Sequence, residues 1–213
     1  ALIIMMTISL RGSTGTFYFK YYVGREDLIG SFAMSYMIAL AIGAASTPLL
    51  TKLCDKRKLL MILMAIVAAL SAIFYIVPND DIAIMFGLQI AIGLALGPKS
   101  PLVFSMYADT ADYSLWRTGR RATAMIFSAA AFAQKLGGAL AGAMIGWLLS
   151  SMGYVANQVQ NGASEHGIVL LMTIIPAVFA ALAVPLIMLY PLSNNQLESI
   201  QEDNLNEKYP NNE

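Results

Sequence analysis

Apolar residues run along the chain in long stretches bounded by charged residues and by Gly, Pro and Asn, and most stretches have the length of a membrane-crossing helix. The pattern predicts spans at Ala1–Phe19, Leu28–Thr51, Leu59–Val77, Ile82–Tyr107, Ala122–Ser150 and Ile168–Leu189. The connections between them alternate in character. Lys52–Lys58 and Arg117–Arg121 are basic, whereas Pro78–Asp81 and Val155–Glu165 contain no Lys or Arg. Because basic loops stay on the cytoplasmic side, the connections after the second and fourth spans face the cytoplasm and those after the third and fifth face outward. Lys20 and Arg25 on the outer side are offset by Glu26 and Asp27. An even number of spans returns both ends to the cytoplasm. Residues 1–190 are thus expected to form one transmembrane bundle and 191–213 a polar cytoplasmic tail, solvated and rich in Asn, Gln and acidic residues (Glu198, Glu202, Asp203, Glu207, Glu213).

Composition agrees. Of 213 residues, 58% are hydrophobic and 12% charged, and the mean hydropathy is +0.64; soluble domains are about 45–50% apolar and about 25% charged. This excludes a soluble enzyme, a disordered tail and a disulfide scaffold. Cys54 is the sole cysteine and cannot form an internal bridge. Lys plus Arg equals Asp plus Glu at 13 each, so net charge points to no nucleic-acid partner. No H-E-x-x-H, no G-x-S-x-G elbow and no Cys/His metal cluster is present, which argues against an enzyme and gives no metal ligands or cofactor. The chain opens inside an apolar run without a Met, the expectation for a fragment whose upstream part is missing.

Small residues let helices approach closely in lipid, where no hydrophobic drive brings them together. Gly138, Gly142 and Gly146 in the fifth span predict one tightly packed face, and Gly93 and Gly97 in the fourth repeat the device. Pro98, Lys99, Ser100 and Pro101 then predict a kink beside an aqueous pathway. The aromatic run Thr16–Tyr22 (TFYFKYY) is expected to form an interfacial belt at the outer end of the first span. The scattered Met residues are read as gap fillers, and His166 is assigned no role.

Ionisable groups at membrane depth normally face a cavity or a partner, because insertion near mid-bilayer costs about 2.5–3.5 kcal/mol. Arg11, Lys99 and Lys135 are the candidates. Lys135 lies about 14 residues, or roughly 21 Å of helix, from the basic end at Arg121, too deep for easy snorkelling. It is read as a buried amine beside a substrate cavity, with Gln134 next to it able to donate and to accept. At the cytoplasmic end, the loop from Met106 to Arg121 places Asp109 and Asp112 three residues apart, followed by Arg117, Arg120 and Arg121. Such opposite charges can form a breakable latch.

The stretch from Tyr107 to Tyr154, with Asp-x-x-Asp-Tyr, then Thr-Gly-Arg-Arg, then Gln-Lys-Leu-Gly in the next helix, closely resembles the glycoside-pentoside-hexuronide cation symporters. The run LCDKRK at Leu53–Lys58 is similar to the acidic-basic loop of the wider major facilitator superfamily. The resemblance implies an all-α membrane protein whose six transmembrane helices form the carboxy-terminal half of a twelve-helix carrier in the cell inner membrane. It also implies sugar or glycoside import coupled to sodium or a proton by alternating access, with the main cation site in the missing amino-terminal half. On this reading Lys135 matches the family lysine near sugar and cation, with Gln134 and Ala131 on its helix, and Ser100 and Arg11 complete the candidate substrate contacts. Ala131 and Ser100 depart from a hydroxyl and an aromatic residue in a well-known member. Asp109, Asp112, Arg117, Arg120 and Arg121 match the cytoplasmic gate, with Arg57 or Lys58 as partners across the mouth; Leu115 stands where relatives often carry an acidic residue. The partners implied are membrane lipid, the sugar and the missing half. The alternative is a non-transporting scaffold or partner-binding helical bundle.

Overall fold

A computed structural model describes residues 1–192 together with 196, 197, 199 and 200. The acidic residues of the expected tail, Glu198, Glu202, Asp203, Glu207 and Glu213, lie outside them. The described residues form helices joined by turns and irregular connections, with no strand among them. Helix α1 (Leu2–Phe17) runs into a π-helical turn (Tyr18–Val23) and is followed by α2 (Ile29–Leu53), α3 (Lys56–Phe74), α4 (Ile82–Leu96), α5 (Lys99–Thr118), α6 (Thr123–Ser151), α7 (Gly162–Met172) and α8 (Ile174–Met188). Among the described residues five segments are long and apolar enough to cross a membrane: Glu26–Leu53, Lys56–Phe74, Ile82–Thr118, Thr123–Ser151 and Gly162–Met188. The remaining expected span, α1, packs against α2, α6, α7 and α8. It can be more polar than the others because Thr7, Arg11 and Thr14 are buried against protein, not lipid.

Two of the crossing segments are interrupted. The α4–α5 unit breaks at Gly97 and Pro98, where the expected kink falls. It then continues as helix to Thr118, so that Tyr107–Thr118 is helical and not a loop; the left-handed Gly119 (φ 65°) ends it, its N–H bonded to the Leu115 carbonyl. The α7–α8 unit breaks at Thr173 (φ −121°, ψ −78°). It begins at Gly162, earlier than the apolar run alone indicates, because the Asn161 side chain caps it by accepting from the Ser164 N–H at 2.7 Å.

The tightest packing joins α2 to α4. A Cβ on Gly97 would overlap the Leu40 carbonyl and the Ala44 amide, one on Gly43 would overlap the Leu94 carbonyl, and one on Gly93 would press on Ala39. The close approach predicted for Gly93 and Gly97 is therefore present. The face predicted from Gly138, Gly142 and Gly146 is different: Gly142 and Gly146 face open space, and Gly138 makes only an ordinary contact with Ser9. The neighbouring Gly137 makes the approach, its missing Cβ leaving room for the Leu2 carbonyl of α1.

The aromatic run is also turned differently from the expected belt. Tyr18 and Phe19 are fully buried; Phe19 packs tilted against Phe32 and edge-on to Phe86, and Tyr18 meets Phe74 edge-on. The π turn adds a residue to the helical repeat and so rotates these rings inward. Of the expected tail, Leu197 and Ile200 are buried with Leu192 against Tyr113 and Tyr190, which brings that part of the chain back onto the end of α5.

Candidate functional site

The charged end of the bundle is built by three elements. Helical spacing puts Asp109 and Asp112 on neighbouring faces of α5, and each meets a different cation. Asp109 is buried and accepts from Lys56 Nζ at 2.7 Å, across to the first turn of α3. Asp112 accepts from Arg121 Nη2 at 2.6 Å, which ties the turn after α5 back onto it. The α3 cation that meets Asp109 is thus Lys56, where the sequence points to Arg57 or Lys58. Adjacent residues point about 100° apart on a helix, so only one cation of the run can face α5. Arg57 instead donates to the Met188 carbonyl at the end of α8 (2.8 Å), and Lys58 sits 3.7 Å from Asp55. Arg117 donates to the Tyr113 hydroxyl, and Arg120 is exposed, its carbonyl accepting from Ser114. A cavity of about 380 Å³ lies beside the pair, lined by Lys56, Arg57, Asp109, Tyr190 and Leu197 among others. Burial pushes the Tyr190 hydroxyl up to about 12.

At membrane depth, α6 carries three distinct stripes. Ala130, Gly137, Ala141, Ile145 and Leu149 are buried. Met125, Phe132, Leu136, Leu140 and Trp147 are large, apolar and exposed. Ser128, Ala131, Lys135, Ala139, Gly142 and Gly146 are small or polar and exposed. Lys135 therefore lies on an exposed face of the described residues, among the small residues of α6. It stands two residues, or about 200° of turn, from Gly137, where α6 touches α1. Among the described residues it has no hydrogen bond or ion pair. Gln134 is half-buried beside it, and Ser100 is half-buried at the start of α5. The exposed residues of α1 are of the same small, polar kind: Gly12, Ser13 and Thr16.

Arg11 is the buried cation, 2% exposed. Nη1 donates to the Met172 carbonyl at 2.9 Å and to Ser71 Oγ at 3.3 Å, Nη2 donates to Gln89 Oε1 at 2.7 Å, and the guanidinium lies over the Phe74 ring. The bond to Met172 has a local cause. In a continuous helix that carbonyl would accept from residue 176, but Pro176 has no N–H. Arg11 therefore joins α1 to α3, α4 and the Met172 carbonyl of α7, and none of these bonds reaches Lys135, Gln134 or Ala131.

Among the described residues no group of three or more His, Cys, Asp or Glu is placed to hold a metal ion. A helical bundle with exposed apolar stripes and five segments long and apolar enough to cross a bilayer, two of them discontinuous, is the architecture of a multi-pass membrane protein. The family model described as MFS/sugar transport protein matches residues 1–194, and the chain belongs to that family, within which the resemblance to the glycoside-pentoside-hexuronide cation symporters holds. It is 30% identical over 200 residues to the inner membrane symporter YicJ of Escherichia coli (strain K12), covering 93% of this chain and 44% of that protein. It is 28% identical over 201 residues to the uncharacterized symporter YnaJ of Bacillus subtilis (strain 168), covering 93% and 43% respectively. The isoprimeverose transporter of Lactiplantibacillus pentosus is 28% identical over 172 residues, 78% of this chain and 35% of that protein. The chain thus spans less than half the length of these curated relatives.

Proposed function

We propose that this chain is the carboxy-terminal six-helix bundle of a carrier that imports a sugar or glycoside together with sodium or a proton by alternating access. Residues 1–190 form the bundle and 191–213 its cytoplasmic tail, with both ends on the cytoplasmic side of the inner membrane. The observation that carries this reading is the row of Ser128, Ala131, Lys135 and Gly142 on α6 with Gly12, Ser13 and Thr16 on α1: exposed, small or polar, and beside the exposed apolar stripe of α6. Lipid is a poor neighbour for an ammonium, whereas a water-filled chamber between this bundle and an amino-terminal one suits it. In that chamber Lys135 and Gln134 donate to sugar hydroxyls. The pairs Lys56–Asp109 and Asp112–Arg121 close the cytoplasmic end in one state and are hydrated in the other, which gives the differential contacts that a two-state gate requires.

The test is uptake of radiolabelled glycosides by the full-length carrier in proteoliposomes, under imposed sodium or proton gradients. Lys135→Leu is expected to lower gradient-driven uptake about tenfold or more while leaving the melting temperature in detergent unchanged, because the side chain packs on nothing within the bundle. Unaltered uptake by this variant would remove Lys135 from the chamber. No observation favours the scaffold alternative.

A further inference from the structure

Among the described residues the Arg11 guanidinium has no carboxylate against it. Its partners are the Ser71 hydroxyl, the Gln89 amide oxygen, the Met172 carbonyl and the Phe74 ring, all neutral. A buried charge without a counter-ion is costly, and neutral acceptors offset only part of the lost hydration. Its hydrogen bonding is also incomplete. Of five guanidinium N–H donors, the three bonds above use three, all on Nη1 and Nη2, and the buried Nε–H has no partner among the described residues. The Tyr36 hydroxyl is buried and lacks a partner as well. Both residues line one cavity of about 90 Å³ between α1 and α2. Gln89 and Phe32 also line its buried wall, while Gly12, Thr16 and Ala33 on its rim are exposed. Gly12 keeps the way in clear, with no atom near the position a Cβ would take.

We propose that this cavity is an oxyanion subsite: it takes a carboxylate, sulfonate or phosphate substituent of the transported molecule, which accepts from Arg11 Nε and from the Tyr36 hydroxyl and neutralises the guanidinium. An oxyanion suits the vacant donors better than a hydroxyl, because the donors bring a full positive charge and the planar edge of a guanidinium matches two oxygens of one group. The space admits such a substituent and a few waters, while the sugar ring stays in the wider chamber outside. Charge selection would then reside on α1 and α2, away from the Lys135 row.

This inference rests on the carrier reading, so the test separates the two. Binding of methyl β-D-glucuronide and of its neutral counterpart methyl β-D-glucoside to the purified full-length protein is measured by calorimetry, with uptake of both in proteoliposomes. The wild type is expected to bind the glucuronide about tenfold more tightly than the glucoside. Gln89→Glu sets a carboxylate beside Arg11 without removing a packed atom, supplies the missing counter-ion from within, and is expected to abolish that preference by weakening glucuronide binding and to raise the melting temperature. Tyr36→Phe should reduce the preference in the same direction, less strongly. Glucoside bound or carried as well as the glucuronide would overturn the subsite and leave the carrier reading intact. A preference that survives Gln89→Glu would equally overturn it. Uptake of other glycosides without binding of the glucuronide would overturn the subsite alone, and absence of uptake of any glycoside would overturn both.

Discussion

Arg11 shows how one residue can settle the polar consequences of a proline on another helix. Pro176 leaves the Met172 carbonyl without its helical donor, and a guanidinium reaching from α1 supplies one at 2.9 Å. Arg11→Leu would leave that carbonyl, the Gln89 amide and the Ser71 hydroxyl without their partner. At about 1–3 kcal/mol for a buried polar group left unsatisfied, the variant is expected to lose several kcal/mol, read as a lower melting temperature in detergent. Pro176→Ala returns an N–H to α8, so the two substitutions should be coupled: Arg11→Leu costs about 1 kcal/mol less in the Pro176→Ala background, as a double-mutant cycle would report. Strict additivity would mean that the proline-freed carbonyl is not what Arg11 serves. None of this was legible in the sequence. Arg11 could be recognised as a charge within a span, but its partners lie 60, 78 and 161 positions away, and no local pattern links an arginine in the first helix to a proline in the last.

At the scale of elements, glycines give sharp predictions because the space opposite each is known. Gly97→Ala forces α4 away from the Leu40 carbonyl and the Ala44 amide of α2, and overpacking of this kind costs about 1–3 kcal/mol. Gly142→Ala adds a methyl into open space and should change stability by less than about 0.5 kcal/mol. Parallel melting curves of the two variants would check this; equal losses would contradict the packing described. Hydropathy located the membrane segments well, because a long apolar run is a property of the sequence itself. It could not see that α5 continues beyond Tyr107, since charges there lower hydropathy without breaking the helix; the three-residue spacing of Asp109 and Asp112 was the usable signal. Nor could glycine spacing tell Gly137 from Gly138. The two differ by about 100° of turn, and which face is filled depends on where α1 lies. The aromatic run was misplaced for a related reason, because composition does not report a π turn.

For the whole molecule, the apolar and the small-polar stripes of α6 separate the neighbours of the bundle. Trp147 is 72% exposed on the apolar stripe and is expected to face acyl chains. In the full-length carrier with every other Trp replaced by Phe, brominated lipids should quench its fluorescence strongly, and weak quenching would turn that stripe away from lipid. The latch belongs to this scale too, because it joins the ends of α3 and α5. Lys56→Met leaves Asp109 buried without its cation, a loss of roughly 2 kcal/mol, and should favour the state open to the cytoplasm. Faster labelling of the exposed thiol of Cys54 by a maleimide would report it, and unchanged labelling in Lys56→Met would argue that the pair does not hold that end shut.

The turn between α2 and α3 looks permissive, being short, polar and exposed, yet it sets the phase of α3. One residue inserted after Cys54 would rotate the first turn of α3 by about 100°, withdrawing Lys56 from Asp109 and bringing the acidic Asp55 towards the place it held. Length at this point is therefore as constrained as residue identity, and charge-preserving shuffles of Lys56, Arg57 and Lys58 should be better tolerated than the gain or loss of a single position.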